Sequence, residues 1–300
     1  MKAKLGIAPI AWSNDDLPEL GGDTPLETCL SEARAAGFTG IETGGKFPRD
    51  PDDLGPILRA HDIGLCGGWY SGGLLKNELA MEKDLIAAQI ALFKALDAPC
   101  IVYGECAGTI QGDRHAPLNT RIILDEDQIR TYGHKMTALG EYCADQGMPI
   151  AYHHHMAAPI ESERDLDLLM SHSGEGLPLL YDPGHMGFAG GDVLRVIDNH
   201  GPRISHFHAK DIRRSVTDSL DRGRESFLDA VLKGAFTVPG DGSLDFEALT
   251  GRMADIGYEG WFVVEAEQDP AKAPPAEYAR IGYDELVRVL TRAGYDIEEG

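Results

Sequence analysis

No stretch of the sequence approaches the ~20 consecutive apolar residues that a membrane-spanning helix needs. The opening segment, MKAKLGIAPIAWSND, has no long apolar run and reads as entering a strand at once, so no signal peptide is expected. No CxxC pair occurs, and the five cysteines (Cys29, Cys66, Cys100, Cys106 and Cys143) are odd in number. That argues against a disulfide framework and for reduced thiols in a cytoplasmic enzyme. Positive charge is scarce: 27 Lys and Arg against 49 Asp and Glu leave a formal net charge of −22. Such a surface repels phosphate backbones and has no attraction for an anionic bilayer, so neither nucleic acid nor membrane is expected as a partner. The glycine-rich segments match no dinucleotide or P-loop pattern, so no nucleotide cofactor is expected.

What is present is an alternation. Over 300 residues, 43% hydrophobic, short apolar runs suited to strands alternate with longer amphipathic ones. The strand candidates are Leu5–Ala11, Gly40–Thr43, Gly64–Gly68, Cys100–Gly104, Pro149–His153, Leu177–Tyr181, Ile204–Ala209 and Trp261–Glu265. Eight such runs alternating with helices predict a closed parallel sheet, a (β/α)₈ barrel, as one domain over residues 1–300. Thr24-Pro25-Leu26-Glu27 has the form of a capping box with proline in the first turn, opening a helix that ends at Gly37. After Asp125, the residues Ile129, Tyr132, Met136, Leu139 and Cys143 recur at spacings of three and four, one apolar stripe of a helix ending at Gly147. Helices are also expected over Glu78–Leu96 and Ala276–Arg292. Arg213–Gly242 is a long insertion with a short helix around Glu225–Leu232, suited either to covering a site or to acting as a solvated spacer. Self-association into a homo-oligomer is compatible with the sequence.

Acidic and imidazole groups gather at the ends of the last four strand candidates. They are Tyr152-His153-His154-His155, Tyr181-Asp182-Pro183-Gly184-His185, His206-Phe207-His208-Ala209-Lys210-Asp211 and Val264-Glu265-Ala266-Glu267. In a barrel these ends converge on one face, where catalytic groups sit. Residues two apart on a strand share a side, so His206 pairs with His208 and Glu265 with Glu267. Carboxylates buried there without a cation would cost several kcal/mol each, and one Asp, one Glu and two imidazoles suit a divalent first-row metal. The three consecutive histidines cannot all point inward. Lys210 is an ammonium beside these carboxylates, suited to proton donation or substrate clamping, or else paired with Asp211. Glu42, Thr43, Tyr103 and Glu105 end earlier strands and offer binding groups. Trp12, Trp69 and Tyr70 could stack on an apolar ring face.

The segments GIAPIAWSND, GIETGGKFP (40–48), YHHHM (152–156), DPGHMGFAGGD (182–192), RISHFHAKD (203–211) and GWFVVEAEQDP (260–270) together resemble the xylose-isomerase-like barrel superfamily, and within it the inosose dehydratases of inositol catabolism. The resemblance runs over nearly the whole chain. It implies a metal site of Asp182, His208, Glu265 and a fifth-strand group. Many relatives have Glu at that last position, where this sequence has His153, with His155 the other candidate. It implies that His185 faces the substrate, and His155 is expected to bind substrate as well. It also implies manganese or cobalt, with glutathione linked to activity, and loss of water from 2-keto-myo-inositol to give a trihydroxycyclohexane-dione. Elimination beside a ketone needs a base, for which Glu267, His154 and His185 are candidates, and an acid or enolate stabiliser, for which Lys210 is suited. A sugar isomerase or epimerase of the same superfamily is the nearest alternative. A DNA-repair nuclease would want a basic track, and a binding protein would have little use for so many ligating groups.

Overall fold

The computed structural model describes residues 1–298; the last two residues of the expected 1–300 domain lie outside the described residues. Strand β1 (Lys2–Ile7) stops short of the expected Ala11. Pro9 has no amide to give to a ladder, and it opens a 3₁₀ turn over Pro9–Ala11 instead. Strands β2 (Gly40–Thr43), β3 (Gly64–Gly72), β4 (Ile101–Glu105), β5 (Ile150–His153), β6 (Leu179–Tyr181) and β7 (Ile204–Ala209) follow, each parallel to its predecessor. The short strands β8 (Asp211–Ile212) and β9 (Phe236–Thr237) pair only with one another, antiparallel. Strand β10 (Gly260–Val264) pairs with β7 on one side and β1 on the other, which closes eight parallel strands into a barrel. A last strand, β11 (Asp296–Ile297), adds beside Lys2 and Ala3 of β1.

Helices wrap the barrel, and the main core lies between the two layers. The helix Leu26–Ala36 ends at Gly37 as expected, but the capping box at its start is not made. Pro25 occupies the boundary in an extended conformation, so the first turn begins one residue late, and the Pro25 carbonyl takes the amides of Thr28 and Cys29. The helix Glu126–Asp145 does carry a capping box, between Asp125 and Gln128, and buries Ile129, Tyr132, Met136, Leu139 and Cys143. Its Gly140 lies against another stretch of backbone: an added Cβ would stand 1.7 Å from the Gly176 carbonyl oxygen. Gly140→Ala should therefore lower stability by about 1–3 kcal/mol, the overpacking range, although alanine is the better helix former by about 1 kcal/mol. Thermal denaturation reads this directly, and a higher melting temperature would contradict it.

The insertion after β7 is packed, not a solvated spacer. Its helix is Phe227–Leu232, capped by Ser226. With Met156, Phe188 and Phe236 that helix forms a second apolar cluster. No helix among the described residues is long and apolar enough to cross a membrane.

Candidate active site

Strands β5, β6, β7 and β10 each deliver one group to a common point. Asp182, just after β6, caps the helix Pro183–Ala189, and its Oδ1 accepts the His185 amide at 3.0 Å. That fixes the carboxylate with Oδ2 on the side of His153 and His208. His153, at the end of β5, lies with Nδ1 2.6 Å from the His154 carbonyl oxygen. A proton donated there leaves Nε2 as a lone pair, 3.7 Å from Asp182 Oδ2. His208 Nδ1 is 3.7 Å from Asp182 Oδ2 and 3.2 Å from Glu265 Oε2.

The donor atoms of His153, Asp182, His208 and Glu265 all lie within 4.8 Å of one another. Donors bound about 2.1 Å from a shared ion are separated by about 3 to 4 Å, and the 3.7, 3.7 and 3.2 Å separations above fall in that range. Asp182 Oδ2 and His208 Nδ1 are buried without a hydrogen-bond partner, and leaving such atoms uncompensated is costly. The set of two carboxylates and two imidazoles fits a divalent first-row ion.

A second group, His155, His185 and Glu267, has its donors equally close. There the compensating cation is Lys210, which is fully buried. Its Nζ lies 2.7 Å from His185 Nε2, 2.9 Å from Glu267 Oε2 and 2.6 Å from Glu265 Oε2. Burial lowers the ammonium pKa, but Asp182, Glu265 and Glu267 more than offset it and hold Lys210 protonated, above the usual lysine range. Burial, with His155 and Lys210 adding to it, pushes His185 well below the usual imidazole range, so a neutral ring accepts the Lys210 hydrogen bond. The lysine stem crosses the start of the helix after Asp182 where only glycine leaves room: a Cβ on Gly184 would stand 2.5 Å from Lys210 Cγ. Asp211 is not the partner of Lys210, because its Oδ1 takes the backbone amides of Ile212, Ser243 and Leu244.

Glu42 stands behind His208. Its Oε1 accepts from His206 Nε2 and His208 Nε2, each at 3.1 Å. The bond to Nε2 leaves His208 Nδ1 facing the four-residue cluster, which is how an outer partner orients a ligand imidazole. Burial would raise the Glu42 pKa, but His208 and His206 hold it below the usual carboxylate range.

A cavity of about 870 Å³ opens over these groups, lined among others by Glu42, Trp69, His153, His155, Glu265 and Glu267. Trp69 meets His153 and His155 edge-on, with ring centroids 5.7 and 6.0 Å away. His155 directs Nδ1 at the Met156 carbonyl oxygen, 2.6 Å away, and its Nε2 lies 3.5 Å from Glu267 Oε1. The two histidines therefore divide, His153 to the four-residue cluster and His155 to the cavity wall. Lys210, His185 and Asp182 sit one layer beneath that wall.

Three more expected groups do not reach the cavity. The turn after Pro9 carries Trp12 into the core, where its indole N–H donates to Glu32 at 2.6 Å. Tyr103 faces outward from β4, because its neighbour Val102 takes the inward side, and its hydroxyl sits near Glu82 and Glu105. His154 is turned toward Tyr181 by the alternation along the chain, and its Nε2 lies 3.4 Å from the Asp182 amide. The insertion contributes no cavity residue, but Phe227 backs His155 at 5.1 Å and Phe236 backs His185 at 5.1 Å. The cavity mouth also holds Asp16, Arg49, Cys106 and Gln111, which the sequence pattern did not single out. The polar turn Asn14-Asp15-Asp16 directly after a strand candidate was the available signal.

The family model described as xylose isomerase-like TIM barrel matches residues 30–296. The chain is similar to a rhizopine catabolism protein, MocC, of Rhizobium meliloti, with 44% identity over 98% of this chain and 91% of that protein. An inosose dehydratase of Geobacillus thermodenitrificans is 42% identical over 93% of this chain and 94% of its own. The solved structure of the IOLI protein with a bound zinc atom superposes at TM-score 0.70, with 16% identity, over 97% of this chain and 99% of that one, a likeness of fold.

Proposed function

Because the chain belongs to the xylose isomerase-like TIM barrel family, we propose that it is a metal-dependent hydro-lyase, an inosose dehydratase. It eliminates water from 2-keto-myo-inositol (scyllo-inosose) and releases a trihydroxycyclohexane-1,2-dione in inositol catabolism. The observation that carries this reading is the juxtaposition of two centres at one end of the barrel. His153, Asp182, His208 and Glu265 form a donor set for one ion, and a protonated Lys210 lies between Glu265 and Glu267 beside it. The inosose dehydratase relative supports the substrate assignment. The five unpaired thiols support a cytoplasmic setting.

In this reading the four donors would hold manganese or cobalt. A bound divalent ion supplies Lewis-acid stabilisation of the charge that builds on the ketone oxygen as the α-proton leaves. Glu267 lines the cavity and is the base that takes this proton. Lys210 holds Glu267 in position through their 2.9 Å hydrogen bond. The proton that Glu267 has taken passes to the departing hydroxyl, which leaves as water, while His185, neutral and beneath the cavity wall, holds Lys210 in place. Phe227 and Phe236 close the rear of the Lys210–His185 pair to water. His154 has no part in the proton transfers, since it does not line the cavity.

The test is incubation of the protein with scyllo-inosose, manganese or cobalt, and glutathione, followed by mass spectrometry for loss of one water. Formation of the dione is the expected outcome. Unchanged inosose, with turnover of an aldose or ketose under the same conditions, would overturn the assignment.

A further inference from the structure

The lining of the cavity includes a carboxylate, Asp16, with no role in the chemistry above. Asp16 sits in a turn pinned on both sides. The buried Asn14 accepts the amides of Asp16 and Leu17 through Oδ1 at 2.9 and 3.0 Å, and Asp15 accepts the Gly45 amide at 2.8 Å. From the opposite wall, the buried Gln111 extends Nε2 to 3.4 Å from Asp16 Oδ2, and the Thr109 hydroxyl donates to Gln111 Oε1 at 3.2 Å. Asp16 is accessible from the cavity, yet the surrounding protein raises its carboxyl pKa, and it feels the charges of His155 and Glu267. It is therefore a carboxylate lining the same cavity as His155 and Glu267, with one oxygen 3.4 Å from the Gln111 amide.

We propose that Asp16, aimed by Asn14 and Gln111, is a specificity-determining residue that accepts hydrogen bonds from substrate hydroxyls on the ring edge remote from the ketone. This rests on the dehydratase reading. The groups present suit that role. A carboxylate accepts from two adjacent hydroxyls, Gln111 has an amide to give, and a rigid turn loses little freedom when the ring arrives. A polyol ring presents such hydroxyls all round, so a ring held at its ketone still needs a second anchor to fix which α-proton meets Glu267.

The test compares Asp16→Asn and Asp16→Ala with the wild type on scyllo-inosose and on a deoxy-inosose lacking the remote hydroxyls. Both substitutions should lower kcat/KM for scyllo-inosose by about 10- to 100-fold, the range for a hydrogen bond to a charged group, mostly through KM. They should change little on the deoxy ring. An unchanged KM for scyllo-inosose, or equal losses on both rings, would overturn the proposal, the second by showing a structural role. If the wild type does not turn over scyllo-inosose at all, the dehydratase reading fails separately. The anchor is then read by calorimetric binding of myo-inositol, where Asp16→Ala should weaken the affinity by a similar factor, and unchanged affinity would overturn it.

Discussion

Lys210→Met should lower turnover by about two to four powers of ten, the usual range for groups that move or hold a proton in the transition state, while bound metal should stay near the wild-type level. The ammonium is fully buried and contacts Glu267, His185 and Glu265 at 2.9, 2.7 and 2.6 Å. Methionine keeps much of the stem, which threads past Gly184, and removes the charge. Glu267 and His185 then each lose a hydrogen-bond donor. Metal should be retained because Lys210 is not one of the four proposed donors, and removing a neighbouring cation would relieve repulsion toward an ion held by them. Stability without metal should drop, since breaking a buried ion pair costs about 3–5 kcal/mol. Turnover, elemental analysis and a melting curve on one preparation separate these effects. Near-wild-type turnover would remove Lys210 from the mechanism.

Asp182→Asn should abolish tight metal binding. The amide can still take the His185 amide through Oδ1, so the helix cap at 3.0 Å survives. What disappears is the charge on Oδ2, a buried oxygen without a hydrogen-bond partner that lies 3.7 Å from both His153 Nε2 and His208 Nδ1. Even outer partners of a ligand are worth about 10- to 100-fold in metal affinity, so a ligand itself should be worth more than about 100-fold. Metal at about 100 times its dissociation constant should stabilise the wild type by about 2.7 kcal/mol and the variant hardly at all. Differential scanning fluorimetry across a manganese titration reads this without reference to activity. An equal metal-dependent shift in both proteins would show that the ion is held elsewhere.

The barrel was legible because each strand run is bounded by polar turns and each helix has an apolar stripe, as Ile129 to Cys143 illustrates. Strand edges were less legible: the sequence alone extends the first strand through Pro9, whereas proline ends it. In the site, period-two alternation fixes which residues share a side, and His206 and His208 do both reach Glu42. The division between His153 and His155 was not legible. Both come from one short segment, and it is the carbonyl oxygens of His154 and Met156 that aim the two rings. Trp12 and Tyr103 are aromatic residues near strand ends, as a sugar-stacking group would be, but alternation and a 3₁₀ turn send both into the packing. Alternation alone held the signal for Tyr103. The insertion's role depends on long-range contacts of Phe227 and Phe236 that no local pattern encodes.

The central claim is that these residues take a proton from beside the ketone and expel a hydroxyl from the same ring, and running the reaction in deuterium oxide tests it most directly. Proton NMR of scyllo-inosose with the metal-loaded protein should show one ring C–H signal disappearing in step with appearance of the dione, with no build-up of a deuterated cyclitol that keeps all its hydroxyls. Deuterium entering a ring that keeps every hydroxyl, or a stereoisomer accumulating in place of the dione, would contradict the account and identify an epimerase or isomerase.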